Sequence, residues 1–388
     1  MTATSAASER ASSEPAEEAT PGPTRRSFLK RVAELALFGM LPVFLVLALF
    51  AAAVETDTIG IDFRQMYRAA EVVLDGESPY VVTDEPLTEW GGPYPYPPLP
   101  ALLAIPLTPL PLDVAGALLM AVLVLVALAI PYVLGVRDWR CYGMLLLWPP
   151  VISAIQTANV TLWFALALAV TWRFRDRLAP VALAVGATLA VKFFLWPALA
   201  WMAATRRVAA AALSCVVGVL LLLISWLPLG FAGLADYPSL LRKLEETVGD
   251  DSYTLFIVGL DAGLPSPVAR VLWLGAGFLL LASVIIVARR GDERTAFILA
   301  IAAALALTPI VWLHYFALLT VVVALAQPRL GALWLVPLGL VITPGSGSPT
   351  PFETAASLSV VALTFALAVR AAREHTVEPR PRTADVVV

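Results

Sequence analysis

Long apolar runs alternate with short polar turns along most of the chain, and this pattern predicts membrane-spanning helices. The first run, residues 34–54, follows a basic stretch. Polar segments without apolar periodicity occupy residues 1–23 and 374–388, and we predict that both are disordered tails. Twelve candidate segments result, at residues 34–54, 114–136, 141–155, 158–172, 178–191, 193–204, 208–229, 266–288, 295–312, 314–327, 330–344 and 354–372.

Several of these segments are too short to cross a bilayer as straight helices. A helix of about 12–15 residues rises only ~20 Å, whereas the hydrocarbon core is about 30 Å thick. Short helices predict a cavity open to one side, because irregular backbone at membrane depth must be buried in protein or line water. We therefore predict an all-α polytopic membrane protein with one membrane domain, residues 24–373, of about twelve transmembrane or re-entrant helices.

The distribution of basic residues predicts the orientation of the chain. Arginines cluster before the first run and again at residues 137–140, 173–177, 206–207, 289–294 and 370–373. The positive-inside rule then places both termini in the cytoplasm and two long loops, residues 55–113 and 230–265, on the outer face of the cytoplasmic membrane. The stretch TRRSFLK at residues 24–30 is similar to a twin-arginine export signal, but the many later apolar runs favour a simple topology signal.

Composition excludes several classes of protein. Of the 388 residues, 60% are hydrophobic and 14% charged, and the mean hydropathy is +0.83, which is outside the range of soluble domains. The basic residues are scattered between apolar runs, so we expect no nucleic-acid partner. The two cysteines, Cys141 and Cys215, indicate neither a disulfide framework nor a zinc site.

A charged stretch follows the first apolar run directly. Within residues 62–75 the apolar positions repeat every three or four residues, which predicts an amphipathic helix at the membrane interface. Gly76 follows as an expected C-terminal glycine. Asp62 has two interpretations. It forms a capping-box pattern with Gln65, and it is also a carboxylate placed at the outer membrane face.

Prolines and aromatic residues are concentrated further along the first outer loop. The run YPYPPLPALLAIPLTPLP at residues 94–111 predicts an irregular loop over the outer face, because repeated prolines interrupt a helix. The aromatic side chains of this region have two open roles, stacking on a sugar ring or anchoring the loop at the headgroup level, and we favour anchoring. They are Tyr67, Tyr80, Trp90, Tyr94 and Tyr96.

Further polar residues interrupt apolar runs at the same outer level. Lys192 stands alone in LAVKFFLWP, where a charge is costly unless it lines a wet cavity, pairs, or extends to the interface. His314, one of two histidines, is either a hydrogen-bonded core residue or a substrate contact. Gln156 and Asn159 in IQTANVTLW either cap a turn or bind sugar hydroxyls.

The order of these motifs resembles glycosyltransferase family 87. The resemblance extends over residues 34–372 and implies a GT-C-type membrane fold. It also implies transfer of mannose from a polyprenyl-phosphate donor in glycolipid synthesis, as in the phosphatidylinositol-mannoside mannosyltransferases of mycobacteria. The motifs that carry it, after the first span, are DFRQMYRAA at 62–70, GESPY at 76–80, YPYPP at 94–98, QTAN at 156–159, Lys192 and WLHY at 312–315.

The resemblance implies that Asp62 is the general base, because the family places this role on the aspartate after the first span. The base removes the proton of the acceptor hydroxyl as the oxygen attacks the anomeric carbon, and a single displacement inverts that carbon. Both substrates would be lipids or lipid-linked glycans that enter from the membrane. The departing phosphate needs cationic or hydrogen-bonding partners. Candidates for phosphate or substrate binding are Arg64, Arg68, Lys192, His314, Gln156, Asn159 and Tyr67.

We expect no cofactor and no metal. Glu55 and Asp57 have the spacing of a metal-binding pair, but a lipid monophosphate offers no diphosphate for a metal to bridge. Two other classes stay open. A lipid or polyprenyl-phosphate transporter also needs many spans, although the sequence contains no convincing internal repeat. A structural membrane subunit would leave an Asp, a Lys and a His at one depth unexplained.

Overall fold

The computed structural model describes residues 25–55, 60–80, 94–343 and 348–377. In these ranges the chain forms helices and no β-strand. The first nine α-helices are α1 Arg25–Leu35, α2 Leu41–Glu55, α3 Ile61–Leu74, α4 Pro98–Ala104, α5 Leu112–Val133, α6 Trp139–Leu146, α7 Pro149–Gln156, α8 Thr161–Arg173 and α9 Leu178–Val191. They are followed by α10 Pro197–Ala204, α11 Val208–Trp226, α12 Tyr237–Val248, α13 Leu255–Asp261, α14 Ser266–Arg289, α15 Glu293–Leu307, α16 Leu319–Ala326, α17 Ala332–Leu335 and α18 Pro351–Val377. A π-helical segment at Ala36–Met40 joins α1 to α2, and 3₁₀ segments lie at Ile105–Leu107, Leu227–Leu229, Gly249–Asp251, Leu313–Leu318 and Val336–Ile342.

The polytopic membrane class is confirmed, but the span count of about twelve is not. Within the described ranges five helical segments are long and apolar enough to cross a membrane. Helices α7 and α8 together are also apolar enough to cross, but their axes differ by 118°. Counting this bent pair as one broken span gives a sixth. The five are Phe28–Ala52, Leu112–Val133, Val208–Leu229, Ser266–Arg289 and Pro351–Glu374.

Prolines explain why some predicted runs divide into short helices. The run predicted at 141–155 is broken after Leu146, and α7 begins at Pro149 with Trp148 as its N-cap residue. A proline suits the first turn of a helix, whose amide groups have no intrahelical acceptor, but not the interior. The chain therefore changes direction where a continuous apolar run predicted one helix.

The same chemistry corrects the prediction for residues 94–111. This segment was expected to be an irregular loop, yet it contains α4 and a 3₁₀ turn at Ile105–Leu107. Pro98 and Pro100 fall in the first turn of α4, where a missing amide hydrogen costs no hydrogen bond. The prolines of this run therefore begin a helix.

The amphipathic helix predicted at 62–75 is confirmed as α3, and Gly76 ends it. Gly76 has φ +80°, and its amide donates to the carbonyl of Val73 while that of Glu77 donates to Val72. This is a Schellman arrangement, which needs a left-handed residue after the helix. The apolar face of α3 packs on protein, chiefly on α4 and the 3₁₀ turn Ile105–Leu107, so α3 is held by the fold rather than only by the membrane interface.

Helix packing brings distant segments of the chain to one place. Helix α9 lies along α11, α14 along α15, and α5 along α8. The 3₁₀ segment Leu313–Leu318 packs against both α7 and α8. As a result, the start of α3, the turn between α7 and α8, the end of α9 and residues 313–318 become neighbours.

Candidate active site

Asp62 lies inside the first turn of α3 and points into the protein. Gly60, with φ +57°, precedes the helix and is its N-cap residue. Asp62 is 8% exposed, and its amide nitrogen lies 2.9 Å from the carbonyl oxygen of Thr157. Helix α3 therefore does not begin with an Asp62 capping box. Its first turn is instead held by backbone hydrogen bonds to the turn between α7 and α8.

The other charges of α3 lie on a different side of the helix. At about 100° per residue, Arg64 and Arg68 are about 200° and 240° around the axis from Asp62. Arg64 is partly exposed and Arg68 and Glu71 are exposed, whereas Asp62 is buried with Met66. The helix thus separates one inward carboxylate from outward charges, and it does not direct the two arginines toward Asp62.

Asn159 is the direct partner of Asp62. The side-chain amide nitrogen of Asn159 donates to Asp62 Oδ2 over 2.7 Å. Its amide oxygen accepts from the backbone nitrogen of Thr161 at 2.8 Å and from the Thr161 hydroxyl at 2.6 Å. Asn159 is only 2% exposed. Its side chain therefore closes the turn before α8, whose N-cap residue is Val160, and also reaches across to α3.

Lys192 lies immediately after α9 and faces two tyrosines. Its ammonium group donates to the hydroxyl of Tyr315, and it lies 4.7 Å from the ring centre of Tyr315 and 5.9 Å from that of Tyr96. Lys192 belongs to none of the ion pairs formed within the described ranges. Its positive charge is therefore held by a phenol and aromatic faces, which attract a cation but do not neutralise it.

His314 lies within electrostatic range of both charged groups. It lies in the 3₁₀ segment Leu313–Leu318, is 4% exposed, and its Nε2 atom has no hydrogen-bond partner within the described part of the chain. Both Asp62 and Lys192 lie within electrostatic range of the imidazole. A buried ring nitrogen without a partner is costly unless a ligand or water supplies one.

Tyr96 and Tyr315 are site residues whose position the sequence did not reveal. The Tyr96 hydroxyl is within hydrogen-bonding reach of the Asn159 side chain and within electrostatic range of Asp62 and Tyr315. The sequence favours anchoring for Tyr96 and gives Tyr315 no role beyond its place in the WLHY motif. The available signal is that Tyr315 follows His314 directly, and the centres of the two rings lie 4.9 Å apart.

The two remaining candidates have identifiable positions. The backbone carbonyl of Gln156 accepts from the amide of Gly60 at 3.2 Å, so Gln156 helps to hold the start of α3. The Tyr67 hydroxyl is within 3.0 Å of the carbonyl oxygen of Thr108 and 2.7 Å of that of Leu110. Tyr67 thus fixes α3 to the segment after α4, which is an anchoring contact.

An apolar cavity of about 390 Å³ adjoins the polar groups. Its walls include Phe63, Ala158, Val160 and Val191, the sequence neighbours of Asp62, Asn159 and Lys192. Helices α4, α5 and α8 complete it with Leu103, Leu119 and Trp163. The cavity suits a hydrocarbon chain, because nearly all of its lining is apolar.

An aromatic clasp joins the segment around Tyr80 and residues 94–96 to the end of α11 and the start of α12. We define it as Tyr80, Tyr94, Tyr96, Trp226 and Tyr237. Tyr80 stacks on Trp226 with ring centres 4.7 Å apart and donates to the carbonyl of Tyr96 at 2.8 Å. Tyr237 donates to the carbonyl of Pro95 at 2.9 Å. These tyrosines, of which Tyr80, Tyr94 and Tyr96 are buried and Tyr237 is half-buried, therefore anchor the two segments to protein. Trp90 lies outside the described residues.

No metal-binding group is evident in the described ranges, where no three His, Cys, Asp or Glu residues cluster. Asp57, one member of the pair considered from the sequence, lies outside those ranges. The chemistry of the site is that of a buried carboxylate and an ammonium group beside an apolar cavity.

Spanning helices and this site define the chain as a polytopic membrane protein with a polar centre next to an apolar cavity. The sequence model of glycosyltransferase family 87 matches residues 94–309, which is more than half of the 388 residues. The chain belongs to glycosyltransferase family 87 and is a membrane glycosyltransferase. Comparison with curated proteins and with solved structures gave no match.

The matched range includes Tyr96, Asn159 and Lys192 but neither Asp62 nor His314. Those two residues join the family region through geometry. Asp62 is bonded to Asn159, and His314 is in electrostatic range of Lys192. The site is thus assembled from the matched core and from segments on either side of it.

Proposed function

We propose that the chain transfers mannose from a polyprenyl-phosphate donor to a hydroxyl group of a lipid-linked or glycolipid acceptor, with inversion at the anomeric carbon. The observation that carries this proposal is the meeting of Asp62, His314 and Lys192 beside the apolar cavity. A lipid-phosphate sugar has three parts, a hydrocarbon chain, an anion and a sugar. The cavity, the ammonium group and the carboxylate provide a complementary surface for each.

Asp62 is the proposed general base. As the acceptor oxygen attacks the anomeric carbon, its proton passes to the Asp62 carboxylate and the bond between that carbon and the phosphate oxygen breaks. The electron pair leaves with the polyprenyl phosphate. A carboxylate within hydrogen-bond reach of the hydroxyl suffices for this proton transfer, and Asp62 is a carboxylate whose only described side-chain partner is a neutral amide.

Lys192 and His314 are the proposed partners of the departing phosphate. Charge builds on the phosphate oxygens in the transition state, and a preorganised ammonium group stabilises it most strongly where water is excluded. Lys192 has no carboxylate partner in the described ranges, so its charge is available to a ligand. We assign this role to these two residues rather than to Arg64 and Arg68, which lie on another side of α3.

The site is proposed to face the outer side of the cytoplasmic membrane, with both termini in the cytoplasm. Helix α9 runs from the Arg-rich turn at 173–177 to Lys192, a length of about 21 Å. The site and this basic turn are therefore at opposite ends of α9. The positive-inside rule places the basic turn in the cytoplasm and the site outside. Family membership favours an enzyme over the lipid transporter that the sequence left open.

The test is transfer of radiolabelled mannose from polyprenyl-phosphate-mannose to endogenous lipids in membranes that contain the protein. Asp62→Asn is compared with Asp75→Asn, an exposed aspartate at the end of the same helix. We expect Asp62→Asn to lower the rate about 10²–10⁴-fold and Asp75→Asn to leave it unchanged. Polyprenyl phosphates that carry glucose or arabinose, and a nucleotide-mannose, serve as alternative donors.

Full activity of Asp62→Asn would remove Asp62 from the mechanism. Transfer from another polyprenyl-phosphate sugar, with none from the mannose donor, would keep the reaction and correct the sugar. Transfer from the water-soluble nucleotide donor alone would contradict the role of the apolar cavity.

A further inference from the structure

The hydrogen bonds of Asn159 fix which way its side-chain amide faces. Its Oδ1 atom lies 2.8 Å from a backbone amide nitrogen, that of Thr161, which is only a donor. The Thr161 hydroxyl contributes a second donor at 2.6 Å. A rotated amide would direct its NH₂ group at the Thr161 amide and its oxygen at the Asp62 carboxylate, so two favourable contacts would become repulsive. Asn159 is thereby locked as a donor to Asp62.

The backbone around Asn159 is held as firmly as the side chain. Ala158 has φ +53°, a left-handed conformation that is unfavourable for alanine. The neighbouring carbonyls of Gln156 and Thr157 accept from Gly60 and Asp62. Such a conformation persists where surrounding contacts determine it. The turn between α7 and α8 and the start of α3 therefore form one unit.

Only one oxygen of Asp62 is used within the described part of the chain. Oδ2 accepts from Asn159, and no hydrogen bond of Oδ1 is formed there. A carboxylate held at one oxygen keeps a defined orientation, and the other oxygen stays open to a substrate hydroxyl.

We propose that Asn159, oriented by Thr161, is a positioning residue that aims the free oxygen of Asp62 at the acceptor hydroxyl. This inference rests on the proposed role of Asp62 as base. It gives Asn159 a function different from sugar binding, and it gives Thr161, a fully buried residue, an indirect function in the reaction. Thr161 acts on Asn159, and Asn159 acts on Asp62.

Asn159→Asp is the decisive variant, because it removes the hydrogen bond to Asp62 and keeps the contacts to Thr161. Aspartate keeps the side-chain oxygen that accepts from the Thr161 amide and hydroxyl, so the contacts to Thr161 survive. An ionised aspartate has no hydrogen to donate to Asp62, and it opposes one carboxylate to another. We expect kcat to fall about 10–100-fold, as misplacement of a reacting group does, while KM for the polyprenyl-phosphate donor stays within about twofold.

A pair of variants at Thr161 tests the hydrogen bond from the Thr161 hydroxyl to Asn159. Thr161→Val keeps the backbone amide and the side-chain shape but removes the hydroxyl donor, and Thr161→Ser keeps both donors. We expect Thr161→Val to lower kcat several-fold and Thr161→Ser to retain it. In an Asp62→Asn background neither Asn159→Asp nor Thr161→Val should lower the residual rate further, because groups that act as a unit are not additive.

Wild-type kcat in folded Asn159→Asp would overturn the inference and leave the role of Asp62 intact. If Asn159→Asp does not fold, as judged by its thermal transition in detergent, the Thr161 pair decides. Equal rates for Thr161→Val and Thr161→Ser would then contradict the positioning role. A wild-type protein without mannosyl transfer would instead refute the proposed function itself.

Discussion

Charged groups are treated in opposite ways at the two ends of α9. At its start lies an ion-pair cluster, which we define as Arg175, Asp176, Arg207 and Glu293. Arg207 makes two contacts to Glu293, at 3.0 and 3.1 Å, and one to Asp176 at 2.7 Å. At the other end, Asp62 contacts a neutral amide and Lys192 a phenol.

The difference separates structural from functional charge. A bidentate pair of guanidinium and carboxylate satisfies both partners and leaves little charge for a third group. A carboxylate and an ammonium group with neutral partners keep their capacity to bind a proton or an anion. The location of uncompensated charge thus marks the candidate site more clearly than the number of charges does.

Among the variants that test this comparison, the one that removes the charge of Lys192 should lower the rate of transfer the most. Lys192→Met keeps most of the side-chain length, and we expect the rate of transfer to fall about 10²–10³-fold, the usual loss when one transition-state donor is removed. Lys192→Arg should retain part of the activity. The measurement is the donor assay on membranes with equal protein content, and Lys30→Met, at an exposed position of α1, is the control. Near-normal transfer by Lys192→Met would show that its charge is not used.

Glu293→Gln tests the ion-pair cluster at the other end of α9. We expect it to lower the stability of the fold by an intermediate amount and to leave the rate of transfer unchanged. The variant leaves Arg207 with one carboxylate and removes the carboxylate 3.5 Å from Arg175, which we expect to cost about 1–3 kcal/mol. The thermal transition in detergent measures this change, and kcat of the folded fraction should stay at the wild-type level. Glu374→Gln, which breaks an exposed pair with Arg370, should cost at most about 0.5 kcal/mol. A large fall in kcat for Glu293→Gln would contradict the assignment of a purely structural role to the ion-pair cluster.

The smallest change in stability is expected at a second structural ion pair, Asp138 with Arg140, and it should depend on pH. Hydrogen bonds from Arg140 lower the pKa of Asp138, in the turn after α5, from 3.8 to about 2. A lowered pKa means that the ionised group stabilises the fold above pH 3.8 and that this contribution is lost as the pH falls toward 2. Asp138→Asn should therefore lower the thermal transition at pH 6, and its difference from wild type should shrink below pH 4. A difference that is constant from pH 6 to pH 3 would contradict the ion pair.

Local periodicity predicted those parts of the fold that depend on nearby residues. The helix of α3, its glycine end and the apolar spans follow from spacing along the chain. The division of apolar runs and the helix in the proline-rich segment did not, because a proline breaks a helix in one position and begins it in another. Sequence spacing also does not predict which distant segments become neighbours when the helices pack.

The candidate site was predictable as a set of residue types but not as a set of contacts. Costly isolated polar residues in apolar runs indicated Lys192 and His314, and the resemblance to the family indicated Asp62. The bond between Asp62 and Asn159 joins residues 97 positions apart, and no local pattern encodes it. Arg64 and Arg68 are near Asp62 in sequence, but two and six residues along a helix place them on different sides of α3 from Asp62, so sequence proximity did not predict their orientation.

The bond between the start of α3 and the turn after α7 has a consequence for biosynthesis. During synthesis Asp62 leaves the ribosome 97 residues before Asn159, and His314 follows much later. Asp62, the proposed base, therefore spends the early part of translation without the amide that contacts it. A ribosome-bound chain that ends between residues 192 and 314 carries the carboxylate and the ammonium group but lacks His314. The nascent chain thus acquires the complete candidate site only after residue 314, about four fifths of the way along the sequence, has been inserted.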